Sequence, residues 1–126
     1  MSRKTRIRIE VSVLAGLLAL AGTATAQDPA VVNAKTIQVK LDNDRVRVLE
    51  ATLEPGAKEQ PHSHPAYVVY VLAGGTIRLH GADGKTSDLT FKTGDVLYRE
   101  PVAQHWGENV GTTTTHLILV ELKNPH

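Results

Sequence analysis

From residue 36 onward, apolar and polar positions alternate in short runs separated by turn residues, which is the pattern of β-strands. The segments that we expect to be strands are 36–41, 45–53, 68–72, 76–80, 86–91, 96–99, 104–108 and 114–122. Nothing in this part of the chain has the period of a helix. About eight short strands predict one all-β domain over 36–126, built as a small sandwich or barrel, with residues 27–35 as an N-terminal extension.

The first 26 residues have the three regions of a secretory signal peptide. Basic residues within positions 3–8 precede an apolar run over 11–21, and the small residues Ala24 and Ala26 follow. We expect cleavage after Ala26 and a periplasmic or secreted protein. A retained membrane anchor is the alternative, but the run is shorter than the roughly 20 residues of a spanning helix. No membrane association is therefore expected after cleavage.

The composition of the remaining chain excludes several kinds of chemistry. Without residues 1–26, ten basic residues stand against twelve acidic ones, and no basic patch indicates a nucleic-acid partner. The absence of cysteine rules out disulfides, thiolate metal ligands and thiol nucleophiles. A small molecule is the expected partner.

Three histidines indicate a metal site. His62 and His64 are two residues apart on an extended segment, so their side chains point to the same face. His105 follows about forty residues later, after the turn that begins at Gly94. Neutral imidazoles suit several divalent transition metals, and this ligand type does not choose among Fe, Mn, Ni, Cu and Zn.

The two histidine segments resemble the paired motifs of the cupin superfamily. The positions that match the family spacing are Gly56, His62, His64, Gly75, Gly94, His105 and Asn109. Val68 departs from the family, which has a glutamate ligand at that spacing. The resemblance is to small single-domain bacterial cupins of the RmlC-like type. It implies a double-stranded β-helix, which is a jelly-roll barrel, with a metal held by His62, His64 and His105.

The altered ligand set changes the expected chemistry. Without a glutamate, a divalent ion keeps its full charge, which favours an anionic or chelating oxygen donor as substrate. The resemblance to three-histidine cupins implies a metal-dependent, dioxygenase-like activity on a small oxygen-rich molecule. The alternative is a cupin that binds or senses a small molecule without turnover, since no general acid or base is evident beside the histidines.

Further side chains are candidates for the same site. If the alternation continues from His62 and His64, Val68, Tyr70 and Leu72 face an apolar interior, and the Tyr70 hydroxyl is the candidate catalytic group. Glu59, Glu100 and His116 remain open as additional ligands, although surface charge is the usual role of such glutamates. His80 lies on a polar strand face and is expected to be structural. A homodimer is also expected, because cupins pair through edge strands and the apolar residues of 115–122 could serve that purpose.

Overall fold

The computed structural model describes residues 27–124. The predicted signal peptide, residues 1–26, and the terminal His126 lie outside the described residues. The described chain begins with one helical turn, α1 (Pro29–Val32), which the strand pattern did not predict. Asp28 caps this turn, because its carboxylate accepts a hydrogen bond from the Ala30 amide at 2.9 Å.

Nine strands follow α1 and form two antiparallel sheets. In chain order they are β1 (Ile37–Asp42), β2 (Val46–Leu53), β3 (His62–His64), β4 (Tyr67–Ala73), β5 (Gly75–Gly81), β6 (Thr86–Phe91), β7 (Val96–Arg99), β8 (Val102–Asn109) and β9 (Thr115–Leu122). The five-stranded sheet has the order β1-β2-β9-β4-β7, and the four-stranded sheet has the order β3-β8-β5-β6. The predicted all-β jelly-roll fold is confirmed.

The inner face of the five-stranded sheet is built of cross-strand rows with different chemistry. The register places Leu49, Leu119, Val69 and Leu97 side by side on four neighbouring strands. The next row toward one end of the barrel contains Arg47, Glu121, Tyr67 and Arg99. The apolar row contributes to the hydrophobic core, whereas the polar row places charged side chains at the end where the histidines lie.

The predicted orientation of β4 is wrong. Tyr67, Val69 and Val71 are buried, whereas Tyr70 and Leu72 are 45% and 39% exposed. The alternation does not continue from β3 because the chain crosses at Pro65 and Ala66 from the four-stranded sheet to the five-stranded one. Position 68, where the family spacing places a glutamate ligand, therefore faces outward, since Val68 pairs with the outward-facing Tyr98.

The position of β9 also differs from the expectation. Residues 115–122 pair with β2 on one side and with β4 on the other, so β9 is a central strand and its backbone cannot pair with a second copy. The homodimer itself stays a prediction. Between residues 27 and 124, no helix has the length and apolar character needed to cross a membrane.

Candidate metal centre

The three predicted histidines meet at one end of the barrel. His62 lies directly opposite His105 on the neighbouring β8, and an irregularity in the pairing between His62 and His64 adjusts the direction of the strand. All three side chains are buried. Their potential ligand atoms lie within 4.8 Å of one another, and the imidazole planes meet at 77–86°. These are the side chains that could hold a metal ion.

Hydrogen bonds from outside the cluster determine which ring nitrogen of His62 and His64 is free. The Nδ1 of His62 lies 2.8 Å from the Gln60 carbonyl oxygen, which can only accept, and 3.2 Å from the Asn33 amide nitrogen, which has the Gln60 carbonyl as another acceptor; we therefore assign the proton to this nitrogen on the shorter contact. The Nδ1 of His64 lies 2.8 Å from the Glu121 carboxylate and donates to it in the same way. When the ring is neutral, this arrangement leaves the Nε2 atom with its lone pair available for a metal.

Glu121 connects His64 to a chain of charges that extends to the start of the described residues. Its other oxygen accepts a hydrogen bond from Arg47 Nε at 2.7 Å, and Arg47 also donates to Asp28 at 2.7 Å. Burial alone would raise the pKa of Glu121, but the hydrogen bonds from His64 and Arg47 lower it below its ordinary value. Glu121 is therefore a buried carboxylate anion that fixes the His64 ring.

The N-terminal segment, residues 27–36, packs against the strand that carries two of the histidines. The Asn33 side chain is buried and both donates to and accepts from the backbone of Gln60, beside the His62 ring. The Gln27 carbonyl accepts a hydrogen bond from the Ser63 amide at 2.9 Å. Together with the Asp28–Arg47 pair, these contacts make the segment that follows the predicted cleavage site part of the support of β3.

A cavity of about 70 Å³ lies next to the histidine cluster inside the barrel. Its wall is mainly aliphatic and aromatic, as expected from the sequence, and its polar members are Glu59, Tyr67, Arg99, His105 and Thr115. The tyrosine at this cavity is Tyr67 rather than the predicted Tyr70. The ring centroid of Tyr67 lies 4.5 Å from that of His64. Tyr67 therefore occupies the position beside the histidines that was expected for Tyr70.

Glu59, which the sequence left open as an additional ligand with surface charge as its usual role, is instead a titratable group at the cavity. Its carboxylate lines the cavity and accepts a hydrogen bond from the Gly107 amide at 2.9 Å. A side chain at position 107 would collide with that carboxylate, since an added Cβ would lie 2.7 Å from its Oε1. Burial raises the pKa of Glu59 to about 7, so both protonation states are populated near neutral pH. Glu59 is not one of the grouped metal-binding side chains.

The other open candidates do not join the cluster. Glu100 is exposed at the turn before β8. His116 lies on the outer face of β9, with its Nε2 3.4 Å from a Glu50 oxygen. His80 stacks on Trp106 with ring centroids 3.6 Å apart, in agreement with a structural role. Asn109 is buried and its side chain donates to the carbonyls of Leu53 and Thr113, so it stabilises the turn after β8.

Glutamine at position 121 should weaken both the fold and the metal site. The amide would retain one acceptor for His64, but it would remove a buried negative charge from between His64 and Arg47. Loss of one partner of a buried pair costs about 3 kcal/mol of unfolding free energy. Loss of the group that orients a ligand histidine lowers metal affinity about 10- to 100-fold. Urea unfolding and competitive zinc titration measure the two effects.

Glu108→Gln is the matched control for Glu121→Gln. Glu108 also lies beside a histidine, with 3.2 Å between its Oε1 and His80 Nε2, but both side chains are more exposed. Its replacement should change the unfolding free energy by less than about 1 kcal/mol and leave zinc affinity unaltered. Equal zinc affinity in the two variants would show that Glu121 does not orient a metal ligand.

The fold agrees with comparisons to known proteins. The family model described as "Cupin domain" matches residues 49–121, and the chain belongs to the cupin family. The N-terminal segment lies outside that match. No curated protein matches the chain.

Three solved structures illustrate the similarity. A cupin domain from Bordetella pertussis Tohama I is 27% identical, with a TM-score of 0.64 over 70% of this chain and 92% of that one. A Thermotoga maritima protein described as a predicted oxalate decarboxylase is 25% identical, with a TM-score of 0.52 over 70% and 79%. An RmlC-like cupin from Methanocaldococcus jannaschii is 14% identical, with a TM-score of 0.58 over 71% and 80%, and shows the fold alone.

Proposed function

We propose that this cupin is an exported enzyme that binds a divalent transition metal through His62, His64 and His105 and acts on a small, oxygen-rich chelating molecule. The observation that supports this most directly is the set of three buried imidazoles without a carboxylate in the same group. Three neutral ligands leave coordination positions open and do not reduce the charge of the ion. When bound, such an ion would polarise substrate oxygens and, if it is iron, support chemistry with dioxygen.

The protein's own groups favour turnover over binding alone. Glu59 lines the cavity and its pKa of about 7 allows it to accept or donate a proton near neutral pH. Its hydrogen bond from Gly107 fixes one carboxylate oxygen and leaves the other to interact with a molecule in the cavity. The aliphatic wall would exclude bulk water from that proton transfer. A dioxygenase-like reaction is the finer proposal, and a decarboxylation is compatible with the same groups.

A non-catalytic binding or sensing protein is the second candidate function. The largely apolar wall of the cavity favours it, because small-molecule sites are commonly apolar with a few polar groups. Periplasmic or secreted localisation is part of both proposals and depends on the signal peptide predicted over 1–26.

The metal content of the protein tests the proposal. The full-length chain should be expressed with its export segment and without a histidine tag, then purified from the periplasm without chelators. We expect about one divalent transition ion per chain by mass spectrometry. Oxygen consumption and carbon dioxide release with short chelating acids should then distinguish turnover from binding. Metal-free protein that takes up no added Fe²⁺, Mn²⁺, Ni²⁺, Cu²⁺ or Zn²⁺ would contradict the metal site and favour the second candidate function.

A further inference from the structure

Arg99 is the cation of the polar row that makes no ion pair within the described residues, although Glu59 lines the same cavity and Glu100 the same surface depression. The other arginine of the row, Arg47, is held by two carboxylates, those of Asp28 and Glu121. Arg99 makes no ion pair with any acidic side chain of residues 27–124. It is nevertheless partly buried and aligned with Tyr67 across β4 and β7. A half-buried guanidinium without a carboxylate partner keeps donors free for an external anion, which it can bind with both charge and hydrogen bonds.

The position of Arg99 is such that an anion bound to it would lie beside the histidine cluster. Tyr67, Arg99 and His105 line the internal cavity, and the same three residues line a depression on the surface beside Pro101 and Val102. They therefore lie between the entrance and the interior. A molecule that enters along this route would meet the guanidinium before or while it reaches the imidazole cluster.

We propose that Arg99 is a substrate-binding residue that pairs with the carboxylate of a short acid, while a second oxygen of the same molecule reaches the metal position. This inference rests on the proposed metal site and names its substrate class. An arginine binds a carboxylate through two parallel hydrogen bonds, which fixes the orientation of the acid as well as its charge. The substrates are thus small carboxylic acids with a second oxygen donor on the adjacent carbon, namely 2-hydroxy acids, 2-oxo acids and oxalate-like diacids.

The size of the cavity limits the acid. Its volume is about 70 Å³, which is more than one water needs but favours a small acid of about half a dozen non-hydrogen atoms over a large one. Oxalate, pyruvate and lactate have six each. Because the wall beyond the polar groups is aliphatic, a methyl or short alkyl group on the substrate would be tolerated better than a second charge at that end.

Arg99→Gln tests the inference, with oxalate, pyruvate and lactate as probes and acetylacetone as a chelator that has no carboxylate. Calorimetric titration of the metal-loaded protein should show that Arg99→Gln weakens binding of the three acids about 10- to 100-fold, which is the usual effect of losing a charge-assisted pair. Acetylacetone binding and metal content should be unchanged. Arg99→Lys should restore part of the acid affinity, because it retains the charge without the two-pronged geometry.

A control variant and the metal content distinguish a wrong role for Arg99 from a wrong metal site. Arg45 is exposed in the turn before β2, so Arg45→Gln removes the same charge at a distance and should leave acid binding unaltered. If wild-type protein takes up metal but Arg99→Gln binds the acids as tightly as wild type does, the inference is wrong and the metal site stands. If wild-type protein takes up no metal, the metal site is wrong. The acid titration is then made on metal-free protein, where an unaltered affinity in Arg99→Gln also overturns the role of Arg99.

Discussion

Alanine at both His62 and His105 should abolish stoichiometric metal binding. The two side chains come from different strands, β3 and β8, and lie directly opposite each other in the register. Removing both leaves His64 as a single imidazole, and one ligand does not hold a divalent ion against water and buffer. We expect the metal content to fall from about one ion per chain to background, and zinc affinity to fall by at least about a thousandfold.

The double variant needs a matched control and a check of folding. His116→Ala removes a histidine from the outer face of β9 and should leave metal content unaltered. Circular dichroism should show the same β-rich spectrum for all three proteins, because His62 and His105 contribute to no apolar core cluster. If alanine at both sites prevents folding, His105→Gln removes one ligand while it preserves most of the volume. A full metal equivalent in a folded double variant would refute the three-histidine assignment.

The fold and the ligand set could be predicted because both follow from the spacing of residues along the sequence. The alternation of short strands gave the architecture, and His62 and His64 share a face over only two residues, where the strand period allows no error. His105 required a match between two distant segments, and the motif spacing supplied it. The predicted strand bounds agree with the observed ones to within two residues. The exception is the His62–His64 strand, which was not among the eight segments expected to be strands.

The rest of the site depends on how the strands pair, and neighbouring residues in the sequence do not determine that pairing. Tyr70 was expected inside because the alternation was carried across Pro65 and Ala66, but the chain changes sheets there and the inward phase is reset. Glu121 and His64 are 57 positions apart, and only the packing of the two sheets brings them to 2.8 Å. Glu59 reads as a surface charge in the sequence. Its burial follows from Gly107 on the neighbouring strand, which leaves room for the carboxylate.

The metal-free protein should lose stability steeply as the pH falls. Burial lowers the pKa of His62 to about 4 and that of His105 to about 3, and the neighbouring imidazoles act in the same direction. In the unfolded chain both histidines bind protons below about pH 6.5. Their contribution is therefore complete above that pH and is lost as the pH falls toward 4, because only the unfolded state takes up the two protons. Alone, they would give a slope of about 2.7 kcal/mol per pH unit.

Between about pH 4.5 and 7, Glu59 changes the unfolding free energy in the direction opposite to the histidines. Its pKa is raised to about 7 in the folded protein, against about 4.3 in an unfolded chain. The folded state thus holds the extra proton between these values, and this contribution is lost as the pH rises through 7. Between pH 4.5 and 6.5 the net difference is one proton, so the expected slope is about 1.4 kcal/mol per pH unit. Below pH 4.5 the slope should steepen, since the lowered pKa values of Glu121 and Asp28 then act in the same direction as the histidines.

Glu59→Gln should reveal the full effect of the histidines. Glutamine has the shape of the protonated acid and does not titrate, so the variant should show the slope of about 2.7 kcal/mol per pH unit between pH 4.5 and 6.5, and greater stability than wild type at pH 8. Urea unfolding of chelator-treated protein at half-unit pH steps measures both slopes, and Glu100→Gln, at an exposed position, should follow the wild-type curve. A Glu59→Gln curve that is flat between pH 4.5 and 6.5 would mean that the buried imidazoles are not held neutral by the fold. Their availability as metal ligands at mildly acidic pH would then need another explanation, because a metal and a proton compete for the same nitrogen.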